Sequence, residues 1–346
     1  MNVRLADLAD AAERERIDAW VCAHPDSEIF HRPHWTMAVE QGCRQRGHYL
    51  IAEGRDGPSG CLPLVEVRSP LFGNALVSVG FGTGGGPLAD DPATARALVE
   101  AGWALALCRG CRSMELRGGE VPEGWTAQTG AYADFSKALP QGGDEAILRA
   151  MKRRHRSIRR AREHDLEIRI GSGEADRALH YQVYGEMVRN LGSPVYPRAL
   201  FAAMLDRFGE AADILTVLKD GRPLASALNF YHRGTVMPYW GGGNAASRDY
   251  SASEMMYFQV MCSAARRGCN MFNFGRSKVG TGTFSFKENW GFEPRPLVYA
   301  VRTADGAAPR SVNPLDPKYR LQVALWKRLP VPLANRIGPH IARGLG

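Results

Sequence analysis

The chain has 346 residues, 45% of them hydrophobic and 23% charged, with glycine and proline spread along it and no low-complexity tract. This excludes a disordered or fibrous protein and supplies apolar material for two domains of ordinary size. The net charge of +8 favours anionic partners such as RNA, phosphorylated substrates or acidic lipid surfaces, and it is concentrated: seven Lys or Arg fall between Lys152 and Arg162, and six follow Asp316 with no acid among them.

In chain order, the opening MNVRLADLADAAERERIDAW scatters charges where a signal peptide needs an apolar run, and no later stretch has the length of a membrane-spanning helix. The chain is therefore expected in the cytoplasm. Residues 49–52, 61–67 and 75–79 read as short strands, the first two separated by the turn Asp56-Gly57. A glycine-rich bend at 80–86, a helix over 94–108, Arg109-Gly110-Cys111 and a strand at 113–117 follow. Helical segments are expected from 143 to 164 and from 175 to 189. The earlier order then returns: strands at 214–218, 224–231 and 235–240, with Asp220-Gly221 between the first two, a bend at Gly241-Gly242-Gly243, a helix over 252–266, Arg267-Gly268-Cys269 and a strand at 271–274. Six elements in the same order argue for a duplicated unit. In each unit, antiparallel strands lead into a strand ending in glycines, and a helix then carries the chain to a strand returning parallel beside it. The expected class is α/β (α+β), with mixed sheets flanked by helices. The expected division is an N-terminal domain at 1–140, a C-terminal domain at 141–310 and a basic amphipathic tail at 311–346.

Several tempting motifs lack their context. Gly80-Phe81-Gly82-Thr83-Gly84-Gly85 has the form G-x-G-x-x-G, but Gly86-Pro87 and Asp90-Asp91-Pro92 precede any helix, so a dinucleotide site is not expected. Cys108 and Cys111 have no second pair, His31 and His34 flank a proline beside Trp35 and read as structural, and no metal site is expected. The seven scattered cysteines read as reduced thiols.

The run Asn273-Phe274-Gly275-Arg276-Ser277-Lys278-Val279-Gly280-Thr281-Gly282-Thr283, followed by Phe286-Lys287-Glu288-Asn289-Trp290-Gly291-Phe292, resembles the signature of FemAB-related proteins associated with the exosortase/PEP-CTERM system of Gram-negative bacteria. The resemblance continues through Phe30-His31-Arg32-Pro33-His34-Trp35, Leu62-Pro63-Leu64, Ser69-Pro70-Leu71-Phe72-Gly73, Asn190-Leu191-Gly192-Ser193-Pro194-Val195, Asn313-Pro314 and Trp326-Lys327-Arg328-Leu329-Pro330, and covers nearly the whole chain. It implies tandem domains of the GNAT acyltransferase fold and transfer of an acyl or aminoacyl group to an amine of a cell-envelope or exopolysaccharide-related precursor. Two alternatives stand beside it: a catalytically silent binding factor of the exosortase pathway, and an acetyl-CoA-dependent enzyme acting on a small amine.

The same resemblance implies that Lys287, in Phe-Lys-x-x-Trp-Gly, serves the transfer step. Arg276 and Lys278 follow a strand directly and interleave with Ser277 and glycines, which suits phosphate or carboxylate; Arg276 is the second expected catalytic residue. Tyr239, Arg248, Ser277, Lys278 and Asn190 are expected to bind substrate or donor. The usual pyrophosphate loop before the second-half helix is absent. Its absence weakens acetyl-CoA as donor and leaves aminoacyl-tRNA or another activated acyl group open; the expected donor is aminoacyl-tRNA or an acyl-CoA, with no tightly bound cofactor. In the basic run, Ile147, Met151, Ile158 and Ala161 form an apolar stripe, leaving Lys152, Arg153, Arg156, Arg159 and Arg160 to meet RNA or phosphate in a precursor, with no DNA expected. The tail from Lys318 to Leu329 is amphipathic and acid-free, and could lie on the inner-membrane surface.

Overall fold

The computed structural model describes residues 2–69, 73–304 and 320–345. The quoted stretches at 70–72, Asn313-Pro314, and Lys318 and Tyr319 of the tail lie outside the described residues. The first half runs β1 (Asn2–Leu5), α1 (Ala11–Ala23), α2 (Pro33–Cys43), β2 (Arg46–Glu53), β3 (Pro58–Ser69), β4 (Gly73–Ser78), β5 (Leu88–Ala89), α3 (Pro92–Cys108), β6 (Ser113–Arg117) and β7 (Thr126–Gln128). Short strands β8 (Tyr132–Asp134) and β9 (Ser136–Ala138) lead to α4 (Asp144–Ala150) and α5 (His155–Arg162). The second half follows: β10 (Glu167–Gly171), α6 (Glu174–Leu191), α7 (Arg198–Phe208), β11 (Ala212–Lys219), β12 (Arg222–His232), β13 (Thr235–Gly243), α8 (Ala252–Arg266) and β14 (Met271–Asn273). It closes with β15 (Ser277–Lys278), α9 (Gly282–Glu288), β16 (Arg295–Pro296), β17 (Tyr299–Thr303), α10 (Arg320–Trp326) and α11 (Val331–Ala342).

Local chemistry sets the boundaries. Asp91 caps α3 by accepting the Ala93 and Thr94 N–H groups, and Pro92 opens the helix where no N–H is needed. Asp220 and Gly221 both adopt positive φ (50° and 74°), the two-residue turn whose twist matches a hairpin, and so fix the β11–β12 register. The expected helix over 143–164 is broken at Met151 (φ −85°, ψ 49°) into α4 and α5.

The duplication is visible in the pairing. One sheet contains β1-β2-β3-β4-β6 and the other β10-β11-β12-β13-β14, antiparallel except for the parallel pairs β4–β6 and β13–β14. Helix α6, expected over 175–189 as a helical segment between the halves, stands with α7 between β10 and β11 as α1 and α2 stand between β1 and β2; α7 is a helix that the sequence reading does not anticipate.

The sheets do not divide at residue 140. In the first sheet, the strand beyond β6 is β17, with Tyr299 opposite Arg117; in the second, the strand beyond β14 is β9, with Ser136 opposite Asn273. Each half thus completes its sheet with a strand from the other. The main apolar core follows this exchange, joining Trp35, Val65 and Val77 to Phe201, Leu228, Phe230 and Trp240. Gly42 allows the close approach of α2 to α7, since a Cβ there would overlap the Leu200 backbone.

Candidate functional site

Strand β13 shapes the site. A bulge between Leu228 and Asn229 of β12 shifts the register so that Leu228 faces Trp240 and Asn229 faces Pro238, leaving Tyr239 unmatched. On its other edge β13 pairs with β14 only at Thr235 and Val236, so among the described residues the edge of Pro238–Gly241 has no strand partner. It lines a cavity of about 640 Å³ whose walls come from both halves, including Ser113, Glu115 and Arg117 of β6 and Tyr299 of β17.

Arg276, Ser277, Lys278 and Lys287 enter the same cavity, together with Tyr239 and Tyr196. Gly275, at φ 67°, turns the chain out of β14 and points Arg276 inward. The Arg276 guanidinium donates through Nη1 to Tyr299 Oη (2.9 Å) and lies 4.5 Å above the Tyr132 ring. Tyr299 Oη donates to Thr83 O (3.1 Å), and Tyr239 Oη to Phe81 O (2.7 Å), so both phenols clamp the 80–86 bend. On the facing wall Arg117, 5% exposed, donates through Nη1 to Gly82 O at 2.8 Å. Ser277 Oγ is buried with no hydrogen-bond partner among the described residues, an acceptor and donor available to a ligand.

Lys287 lies in the last turn of α9, 9% exposed, and its Nζ donates to Gly275 O and Arg276 O, each at 2.9 Å. Burial, with help from Arg276 and against the opposing charge of Asp134, lowers its pKa to about 7. The ordinary value is 10.5, so between these two pH values the unfolded chain holds a proton that the folded chain has released. Stability contributed by this residue therefore rises with pH from about 7 upward, by at most about 1.4 kcal/mol per unit, and the cost of the buried ammonium is fully present below that range. Chemical denaturation at several pH values should give a wild-type curve that gains on Lys287→Met across this window. Parallel curves would contradict the buried titration.

The remaining expected residues lie elsewhere. Arg248 ends a short turn before α8, and Asn190 sits near the end of α6; both are exposed and neither lines the cavity. The basic segment packs its apolar stripe as expected: Ile147, Met151, Ile158 and Ala161 are all buried. Lys152, Arg153, Arg156, Arg159 and Arg160 are exposed outside the cavity. Arg153 nevertheless reaches Glu288 O at 2.9 Å, joining this face to the end of α9, and Arg160 reaches Asp249 O at 3.3 Å. Among the described residues no group of His, Cys, Asp or Glu is placed to hold a metal ion.

Sequence reasoning missed Tyr132, Tyr299 and Arg117, which line the cavity; Glu28, beside the 80–86 bend, does not line it. The Glu28 carboxylate fills the space that Gly84 leaves open. Crowding by protein, then the charge of Asp134, push it up to about 7 against a hydrogen bond from Gly85, although water reaches the side chain.

Two mixed sheets, each with a parallel pair whose strands part at a bulged or glycine-rich segment, define a tandem GNAT fold. Residues 149–288 match the family model described as an acetyltransferase (GNAT) domain. No curated protein matches the chain in sequence. Among solved structures, FemX is similar with a TM-score of 0.66 and 13% identity over 87% of this chain and 97% of its own. The C-terminal domain of a protein assigned as a lysylphosphatidylglycerol synthetase, from Agrobacterium fabrum, is similar at 0.56 and 14% identity over 85% and 93%. A tandem GNAT protein from the clavulanic acid biosynthesis pathway is similar at 0.54 and 10% identity over 89% and 99%. Identities this low speak to the fold. No helix among the described residues is long and apolar enough to cross a membrane.

Proposed function

We propose that the chain transfers an acyl or aminoacyl group to an amine of a cell-envelope or exopolysaccharide-related precursor, in the exosortase-associated setting that the sequence resemblance implies. The observation that carries this reading is the convergence of Arg276, Ser277 and Lys287 on one cavity walled by both halves. The acceptor nitrogen attacks the donor carbonyl; a C–N bond forms and the C–O or C–S bond to the leaving group breaks. Between these events the carbonyl oxygen is negative, and Arg276, held by Tyr299 and Tyr132, stabilises it with no reorganisation. Neutral Lys287 has two N–H groups committed to Gly275 O and Arg276 O, so its lone pair is left to take the proton lost by the amine and return it to the leaving oxygen or sulfur.

An envelope precursor as acceptor rests on the sequence resemblance; the assignment of the similar synthetase domain to lysylphosphatidylglycerol is in keeping with it. Around the start of α8, Ser247 and Ser253 occupy the space beside Gly243 and Glu254 stands in the first turn, a poor setting for the pyrophosphate of acyl-CoA. That weighs toward charged tRNA, whose phosphates the exposed cations of Lys152, Arg153, Arg156, Arg159 and Arg160 would meet. Peripheral membrane contact belongs to the same proposal: Leu321, Leu325, Leu333 and Ile337 are exposed on α10 and α11 beside Arg320, Lys327, Arg328 and Arg336.

One observation favours the catalytically silent alternative: both hydrogen bonds of Lys287 go to backbone, as a strut would make them. Incubation with charged tRNAs or acyl-CoAs and lipid-linked amine-bearing precursors, read by mass spectrometry, separates the two. Amide product from one donor supports transfer, and binding of donor without any product supports the silent factor.

A further inference from the structure

A second concavity, of about 630 Å³, shares no lining residue with the first and is walled by the ends of α2, β3 and α3 and by the last turn of α11. Arg44, Arg46, Arg68, Arg109 and Arg343 all line it, against the single carboxylate of Glu66. Glu66 is 1% exposed and already shared, with His48 Nε2 at 2.6 Å, Arg109 Nε at 2.6 Å and Arg68 Nη2 at 2.7 Å. Arg44, Arg46 and Arg343 have no acidic partner among the described residues. The pocket therefore carries a positive excess in a concave setting, where the field of like charges is focused rather than dispersed.

The pocket is also built. Gln45, 6% exposed, donates to Arg343 O at 2.6 Å and accepts from Arg68 N at 3.1 Å, pinning the end of α11 over β3. Complementing helix ends does not account for these cations. Arg44, Arg109 and Arg343 do stand at the C-termini of α2, α3 and α11, where positive charge is favourable. Arg46 and Arg68, however, lie on strands, and Arg44 adopts a left-handed conformation (φ 56°) that glycine or asparagine would take more readily.

We propose that this pocket binds a phosphate-bearing anion of the phosphomonoester or pyrophosphate class, gripped by the guanidinium forks of Arg44, Arg46 and Arg343. The inference stands apart from the transfer reading, and its failure leaves that reading untouched.

The test is titration of inorganic pyrophosphate into wild-type protein and into the double variant Arg44→Gly/Arg46→Gln, by calorimetry and thermal shift. Glycine suits the left-handed position, so the variant should melt no lower than wild type without ligand. Its affinity for pyrophosphate should fall about tenfold or more, from the loss of two charge-assisted contacts. Cosedimentation with vesicles of phosphatidylcholine, alone or mixed with phosphatidic acid, identifies the source. Vesicle binding that pyrophosphate displaces and the variant loses supports a lipid headgroup. Unchanged vesicle behaviour with weakened pyrophosphate binding supports a soluble ligand. An equal response of wild type and variant to pyrophosphate, or none in either, overturns the proposal.

Discussion

Arg276→Met is expected to lower kcat/KM for acyl transfer by about 10²–10³-fold, the usual cost of removing a preorganised oxyanion donor. The guanidinium is held from two directions, by Tyr299 Oη and the Tyr132 ring, so its position is set before any substrate arrives. Methionine keeps the volume and apolar packing while removing the fork, so the melting temperature should hold. Arg276→Lys keeps charge but not the planar stack, and should fall between the two. Turnover of Arg276→Met within about threefold of wild type, well short of the loss of an oxyanion donor, would contradict the assignment.

The second large effect is on stability. Trp35 is fully buried, lies 5.8 Å from Trp240 in a stacked arrangement, meets the edges of Phe30 (4.7 Å) and Tyr239 (5.3 Å), and donates through Nε1 to Gly80 O at 3.1 Å. Trp35→Ala should cost about 3–5 kcal/mol, by lost transfer and a residual cavity. Because Trp35 belongs to the first half and Trp240 to the second, and β9 and β17 cross between the sheets, the loss should appear as one lowered transition in calorimetry. Two separated transitions, only one of them shifted, would mean that the halves melt independently.

How much of this is legible in the sequence follows from how each element is buried. Strands β3, β11 and β12 are covered on both faces and read as near-continuous apolar runs bounded by turn residues, so their places are evident from residues alone. Strand β10 is a short, largely exposed edge with only two isoleucines and gives no such signal; without it α6 looks like part of a connection between the halves. Strands β9 and β17 are short, and which sheet they join depends on contacts across more than a hundred residues, information that local periodicity does not hold. The same exchange hides much of the site. Arg276, Ser277, Lys278, Lys287 and Tyr239 come from segments with a recognisable pattern, whereas Tyr132 and Tyr299, which hold Arg276, come from short strands of the exchange region. Arg248 and Asn190 sit near the right elements in sequence, but both are exposed and outside the cavity.

The most direct measurement is a crystal structure with a phosphonate analogue of the tetrahedral intermediate between acyl donor and acceptor amine. The account predicts a phosphoryl oxygen within about 3 Å of the Arg276 guanidinium, with the ligand lying between Tyr239 and Lys287. An analogue bound outside the cavity, on the exposed face of α5 or anywhere else, with no contact to Arg276, would contradict it.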